Sequence, residues 1–370
     1  MRIGYDAKRI FHNNTGLGNY GRDIVRILNT QSLVEHFFLF NTKKSHYEEQ
    51  IPLEKATIVY PKGLFWKTFP SLWRLIGQWK QINSSNVDWY HGLSGEIPIQ
   101  LKKNYVPKIV TIHDLIFLSH PKYYNFFDRI IYKLKFQYAV SVADHIIAIS
   151  EQTKADIIKF LNVDAKKITV IHQGCNKAFK LEYNEVEKRA IQKKFQLPEH
   201  YVLNVGTIQE RKNALSLVKA IHRTTFHLVL VGQEKSYARK IHDYIAENNL
   251  KHQVSFIKNI SSTELAILYQ NATVFCYPSF CEGFGIPIIE ALYSKLPVIT
   301  TQNGCFPEAA GPDAIYIDPN DIDQIRVEIT KLFENQGMRD EMAEKGYRYV
   351  QRFSDENVAN NLLQLYKSIA

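Results

Sequence analysis

HLVLVG, residues 227–232, carries four apolar residues in succession before a glycine, and IVTIHD, residues 109–114, runs apolar apart from Thr111 before ending in His113 and Asp114. Strands buried on both faces look like this, as in parallel sheets covered by helices. Working outward, similar short runs alternate with longer helical patterns. The first series predicts strands at Arg2–Asp6, Phe37–Asn41, Val87–His91, Ile109–His113 and His145–Ile149. The second predicts Val202–Val205, His227–Val231, Val254–Ile257, Val274–Tyr277 and Val298–Thr300. Alternating strand and helix implies the doubly wound α/β class, and two series imply two Rossmann-like domains. The periodicity breaks at QGCNKAFKLEYN, so the domains are expected at 1–178 and 184–353. Ser354, followed by Glu356 and Asn357, predicts a last helix over about 354–370 that packs back on the first domain.

At 370 residues, 45% hydrophobic and 22% charged, the chain suits two soluble domains and excludes a disordered protein. No apolar run reaches bilayer length. The N-terminal segment MRIGYDAKRIF enters a strand at once and lacks the apolar core of a secretion signal, so a cytoplasmic protein is expected. The four cysteines have no metal-ligand or disulfide-framework spacing and read as buried thiols. The net charge of +9 suits nucleic acid, an anionic membrane face or phosphorylated substrates. No nucleic-acid-binding signature is present, so no nucleic-acid partner is expected.

Ligands of open α/β sheets bind beyond the C-terminal strand ends, so chemistry is sought in the post-strand loops. In FCEGFGIPIIEA, residues 280–291, Pro287 predicts a helix start. Glu282 then lies in the preceding loop and Glu290 in the first turn. The N–H groups of Phe284, Gly285 and Ile286, next to Gly283, point with the helix's positive end, which suits an anion flanked by two carboxylates able to grip hydroxyls. The ordinary alternative is that the carboxylates complement a helix N-terminus.

In NVGTIQERKN, residues 204–213, a strand ends at Gly206 and Arg211 and Lys212 open the next helix. This placement favours phosphate binding over solvated surface cations. In TGLGNYGRDIV, residues 15–25, Gly16 and Gly18 either bring backbone close to a ligand or form a flexible turn. His113, closing IVTIHD, can hydrogen-bond a sugar hydroxyl, share a proton, or be satisfied by neighbouring backbone.

These segments, in this order, resemble glycosyltransferase family 4, the group 1 enzymes of GT-B architecture. GLGNYGRDI, TIHD, AISEQTKADI, VIHQG, NVGTIQERKN, PSFCEGFGIPIIEAL, PVITT and NGCFPEAAG carry the resemblance along the whole chain, and the two glutamates with seven residues between them are its most specific piece. The resemblance implies two domains facing across a cleft and transfer of a hexose, with retention and without a metal or other cofactor, from a nucleotide-diphosphate sugar such as GDP-mannose or a UDP-hexose. It implies that Gly18 offers its N–H to the diphosphate, that Arg211 and Lys212 bind it, and that His113 and Glu282 contact the sugar. Glu290 would hold the ribose. Where the family often has two glycines before Glu308, this chain has Asn303–Gly304–Cys305.

The acceptor implied is a saccharide or lipid-linked saccharide of a cell-surface polysaccharide. Residues 60–80, with Trp66, Lys67, Trp73 and Arg74, and residues 122–138 mix aromatics with cations. Core packing with a solvated face explains them; the other reading is an acceptor or peripheral membrane surface at the inner face of the membrane. Two alternatives stand beside transfer: a GT-B relative that epimerises or hydrolyses nucleotide-sugars, and a two-domain sugar-binding protein without catalysis.

Overall fold

The computed structural model describes residues 1–13, 15–51, 54–99, 101 and 106–369. They form two compact units: Met1–Gly174 with the segment from Phe353 on, and Cys175–Arg352.

The first unit holds a seven-stranded parallel sheet: β1 Arg2–Asp6, β2 His36–Phe40, β3 Ala56–Val59, β4 Trp89–Gly92, β5 Lys108–Ile112, β6 His145–Ala148 and β7 Ile168–Val170. Their order is β3-β2-β1-β4-β5-β6-β7, so the winding reverses between β1 and β4. The register pairs Ile3 with Phe37 on one side of β1 and with Trp89 on the other. Successive residues of one strand feed opposite cores, which is why the runs are apolar without a break. Ile109 and Ile147 join the core beneath helices Gly16–Asn29 and Asp355–Ser368, whereas Val110, Ile112 and Ile146 join the core built on Trp73, Phe117 and Ala139.

The second unit holds a six-stranded parallel sheet: β8 Val202–Val205, β9 Leu228–Val231, β10 Val254–Ile257, β11 Val274–Tyr277, β12 Val298–Thr301 and β13 Ile315–Ile317. The order is β10-β9-β8-β11-β12-β13, with the reversal between β8 and β11. Two parallel doubly wound sheets are the expected fold class. The expectation omitted β3, β7 and β13, which are all edge strands, and the residues of β3 are half-buried or exposed. An edge strand touches one neighbour and needs less apolar sequence.

Ser354 caps helix Asp355–Ser368, accepting from the Asn357 N–H, and the helix packs into the first unit. There the fully buried Tyr366 places its hydroxyl 2.8 Å from His91 Nδ1 and 3.0 Å from the Tyr5 hydroxyl, while His91 Nε2 meets Thr111 Oγ1 at 2.8 Å. Burial, with the neighbouring His113, lowers the His91 pKa to about 3, so the ring is a neutral core group. Removing one partner leaves buried polar atoms unpaired, so Tyr366→Phe is expected to cost about 1–3 kcal/mol in denaturant unfolding. An unchanged midpoint would contradict this account.

Candidate active site

In the second unit the two strands flanking the reversal, β8 and β11, carry the decisive loops. This is where open α/β sheets place ligands. After β8 the chain turns at Gly206, whose φ of +144° lies where side chains rarely go. The space a Cβ would take is bounded by the Lys212 side chain, 3.5 Å away at its Cε. Arg211 and Lys212 follow in a single turn of 3-10 helix, Glu210–Lys212. After β11 the chain runs through Ser279 to Glu282. A backbone bond from Phe280 N–H to the Arg211 carbonyl, 2.8 Å, ties the two loops together.

Glu282 lies between both cations. Its Oε2 is 2.8 Å from Arg211 Nη1 and its Oε1 is 2.5 Å from Lys212 Nζ. Tyr277, at the end of β11, donates its hydroxyl to the same Oε1 at 3.1 Å and accepts from Lys212 Nζ. Arg211 also donates to the Cys281 carbonyl at 2.9 Å, and the Cys305 thiol donates to the Glu282 carbonyl at 3.3 Å. Burial alone would raise the Glu282 pKa; the charges of Lys212 and Arg211 outweigh it and hold the carboxyl at about 2. The three groups sum to +1 and keep a guanidinium fork and an ammonium in fixed places. The sequence reading gave the cations and Glu282 separate tasks; the structure makes Glu282 the counter-ion of both.

Helix Ile286–Tyr293 begins one residue before Pro287, with Gly285 at φ +110° as its N-cap. Glu290 therefore lies in the second turn, not the first. A first-turn position would have left it near the helix's positive end; instead its Oε2 accepts from the buried Tyr269 hydroxyl at 3.0 Å. Gly283 is half-buried and Phe284 is buried in the turn between the glutamates. Sequence reading missed Tyr277 and Tyr269. The first had a findable signal, an aromatic closing the strand five residues before Glu282, whereas nothing in helix Ser262–Asn271 marks Tyr269. The Phe275 ring lies 5.5 Å from Tyr277 and 5.3 Å from Tyr269, joining the supports of the two glutamates through a column of rings.

In the first unit, His113 follows β5. Its Nε2–H donates to the Leu93 carbonyl at 2.8 Å and its Nδ1 accepts from the Gln173 amide at 3.0 Å. Tyr20 meets the ring edge-on at 4.7 Å between centroids. Burial lowers the pKa to about 4, opposed by the bond to Leu93. The ring is neutral with a fixed tautomer, which corrects the reading in which it shares a proton.

Gly18 also differs from expectation. Its N–H is 3.0 Å from both the Thr15 carbonyl and Asn13 Oδ1, so it is not offered to a ligand. Glycine is needed here for another reason: a Cβ would lie 1.8 Å from the Asn13 carbonyl oxygen. Gly16 starts the helix facing open space.

Trp73 and Arg74 are corrected as surface residues. Trp73 is 1% exposed and donates to Gln81 Oε1 at 2.7 Å, and Arg74 is ion-paired with Asp6 and Glu96. Trp66 is half-buried against the same core, and Lys67 is exposed. The helical turns of this segment rotate these two inward, because the indole has a core to fill and the guanidinium has two carboxylates to meet. Among the described residues no helix is long and apolar enough to cross a membrane.

Two parallel-sheet α/β units, the second with its charged cluster at the reversal of strand order, define the GT-B fold class. Sucrose-phosphate synthase from Thermosynechococcus elongatus shares this fold, with a TM-score of 0.81 and 22% identity over 100% of this chain and 99% of that one. The family described as Glycosyltransferase Family 4 matches residues 15–179, and that described as Glycosyl transferases group 1 matches residues 186–349. The chain belongs to these group 1, family 4 glycosyltransferases. It is 25% identical to O-antigen chain mannosyltransferase B of Escherichia coli over 99% of this chain and all of that one. It is 33% identical to O-antigen chain mannosyltransferase RfbU of Salmonella typhimurium, over 57% of each.

Proposed function

We propose that the protein transfers mannose from a nucleotide-diphosphate sugar, GDP-mannose first among candidates, to a saccharide or lipid-linked saccharide acceptor of a cell-surface polysaccharide. Transfer proceeds with retention and without a metal. The observation that carries this reading is the Arg211–Glu282–Lys212 cluster beyond β8 and β11. Cleavage of the donor bond places extra negative charge on the departing diphosphate, and preorganised cations aimed at that charge lower the barrier. Arg211 and Lys212 supply them, and Glu282 and Tyr277 fix where they stand. Glu282, with the Gly283–Ile286 turn, contacts the hexose and Glu290 the ribose, while Gly206 leaves the backbone beside Lys212 without a side chain. The relatives' names supply mannose and the O-antigen class of acceptor. Acceptor attack occurs on the face the diphosphate leaves, with a leaving oxygen taking the acceptor proton.

The test is a panel of GDP-, UDP- and ADP-sugars followed for nucleotide release with and without acceptor, in buffer and in EDTA. GDP-mannose consumed only with acceptor, at the same rate in EDTA, to give an α-linked product by NMR is the expected outcome. Release without acceptor dependence would favour a hydrolase or epimerase, and no release from any donor would favour a binding protein.

A further inference from the structure

Eleven of the 17 exposed large hydrophobic side chains among the described residues fall in two stretches of the first unit, Leu64–Leu75 and Phe126–Leu134. Helix Phe126–Val142 is the more telling. Its C-terminal end turns Ala139, Val140 and Val142 into the core. Its first ten residues, FFDRIIYKLK, are exposed or half-exposed throughout, with Phe126 at 64%, Phe127 at 75% and Leu134 at 62%. Phe127, Ile130, Ile131 and Leu134 recur at helical spacing and form one apolar stripe. Such a stripe, left exposed among the described residues, marks an interaction surface.

The two stretches adjoin. Glu96 pairs with Arg74 of one and lies 3.8 Å from Lys135 of the other. Trp66 and Phe136 both pack against the core containing Phe117. The exposed cations Lys62, Lys67, Lys122, Lys133 and Lys135 rim the apolar residues, and the sole acidic residue within 60–80 and 121–138 is Asp128. Apolar side chains edged by cations, with almost no opposing carboxylate, complement an anionic lipid surface: the chains enter the headgroup boundary while the lysines meet the phosphates.

We infer that the face formed by Leu64–Leu75 and the first ten residues of helix Phe126–Val142 docks the protein on an anionic bilayer. This deepens the proposed function, since it rests on the reading that the acceptor is held at a membrane.

The experiment is co-sedimentation of the full-length protein with phosphatidylcholine vesicles, with or without phosphatidylglycerol, at low and high salt. No donor or acceptor is added, so the result is independent of the transfer reading, which soluble acceptors test separately. Binding is expected to phosphatidylglycerol-containing vesicles, weakened by salt. Combined Phe127→Asp and Ile131→Asp should weaken it at least about tenfold without lowering Tm, because both side chains are exposed. No binding by the wild-type protein, or equal binding by the variant, would overturn the proposal. So would a concentration-dependent dimer, seen in solution and lost in the variant without lipid binding, since that would make the face a contact between copies.

Discussion

Arg211→Ala is expected to lower kcat by roughly 10²- to 10³-fold, the cost of about 2.7–4 kcal/mol typical when one preorganised donor to a developing oxyanion is lost. The acceptor KM should change little, because the guanidinium stands at the reversal between β8 and β11 with the other charged groups of the proposed donor site. The variant should keep a balanced pair, since Lys212, 2.5 Å from Glu282 in the unsubstituted chain, still neutralises it, so its fold should persist and the loss should be catalytic. Arg211→Lys should recover only part of the rate. An ammonium restores charge but not the planar guanidinium, whose Nη1 meets both Glu282 and the Cys281 carbonyl. Unchanged turnover in Arg211→Ala would remove Arg211 from the proposed mechanism.

Glu282→Gln is expected to be the most destabilising of the conservative changes at the site. It leaves two largely buried cations without a counter-charge, and breaking a buried ion pair costs about 3–5 kcal/mol. The pH dependence gives a separate check. The Glu282 carboxyl is lowered from an ordinary 4.5 to about 2 in the folded chain. Its contribution, about 3 kcal/mol, is therefore fully present above pH 4.5 and is lost as the pH falls from 4.5 towards 2. Denaturant unfolding of the second unit at pH 7 and pH 3.5 should show a smaller acid loss in Glu282→Gln than in the wild-type chain. Equal losses in the two proteins would show that Glu282 is not held ionised by Arg211 and Lys212.

The sheets were legible because strands buried on both faces must be apolar throughout, and HLVLVG and IVTIHD state that without ambiguity. Of the edge strands only Val254–Ile257 was, because Ala56–Val59, Ile168–Val170 and Ile315–Ile317 meet one neighbour each and carry a weaker signal. At the site, sequence order named the charged groups but not their pairing. Glu282 is 71 residues from Arg211, and only the crossing from β8 to β11 brings them together. The hydroxyl of Tyr269 was invisible for a related reason, since a buried tyrosine looks like any core aromatic until its partner is known, whereas Tyr277 at least closes its strand five residues before Glu282. Trp73 and Arg74 misled in the opposite sense: a basic aromatic run suggests a surface, yet these two turn into the core while Leu64, Phe65, Phe126 and Phe127 stay exposed.

The chain leaves the first unit at Gly174 and returns to it at Phe353, and the returning helix delivers Leu362 and Tyr366 to the centre of that unit. During synthesis, the ribosome therefore completes every residue of the second unit before it supplies the last piece of the first. The usual order, in which the leading domain matures first, is inverted here. The early half of the nascent chain waits with an uncovered apolar flank, and a premature stop near residue 350 would spare the later-made half while stranding the earlier one.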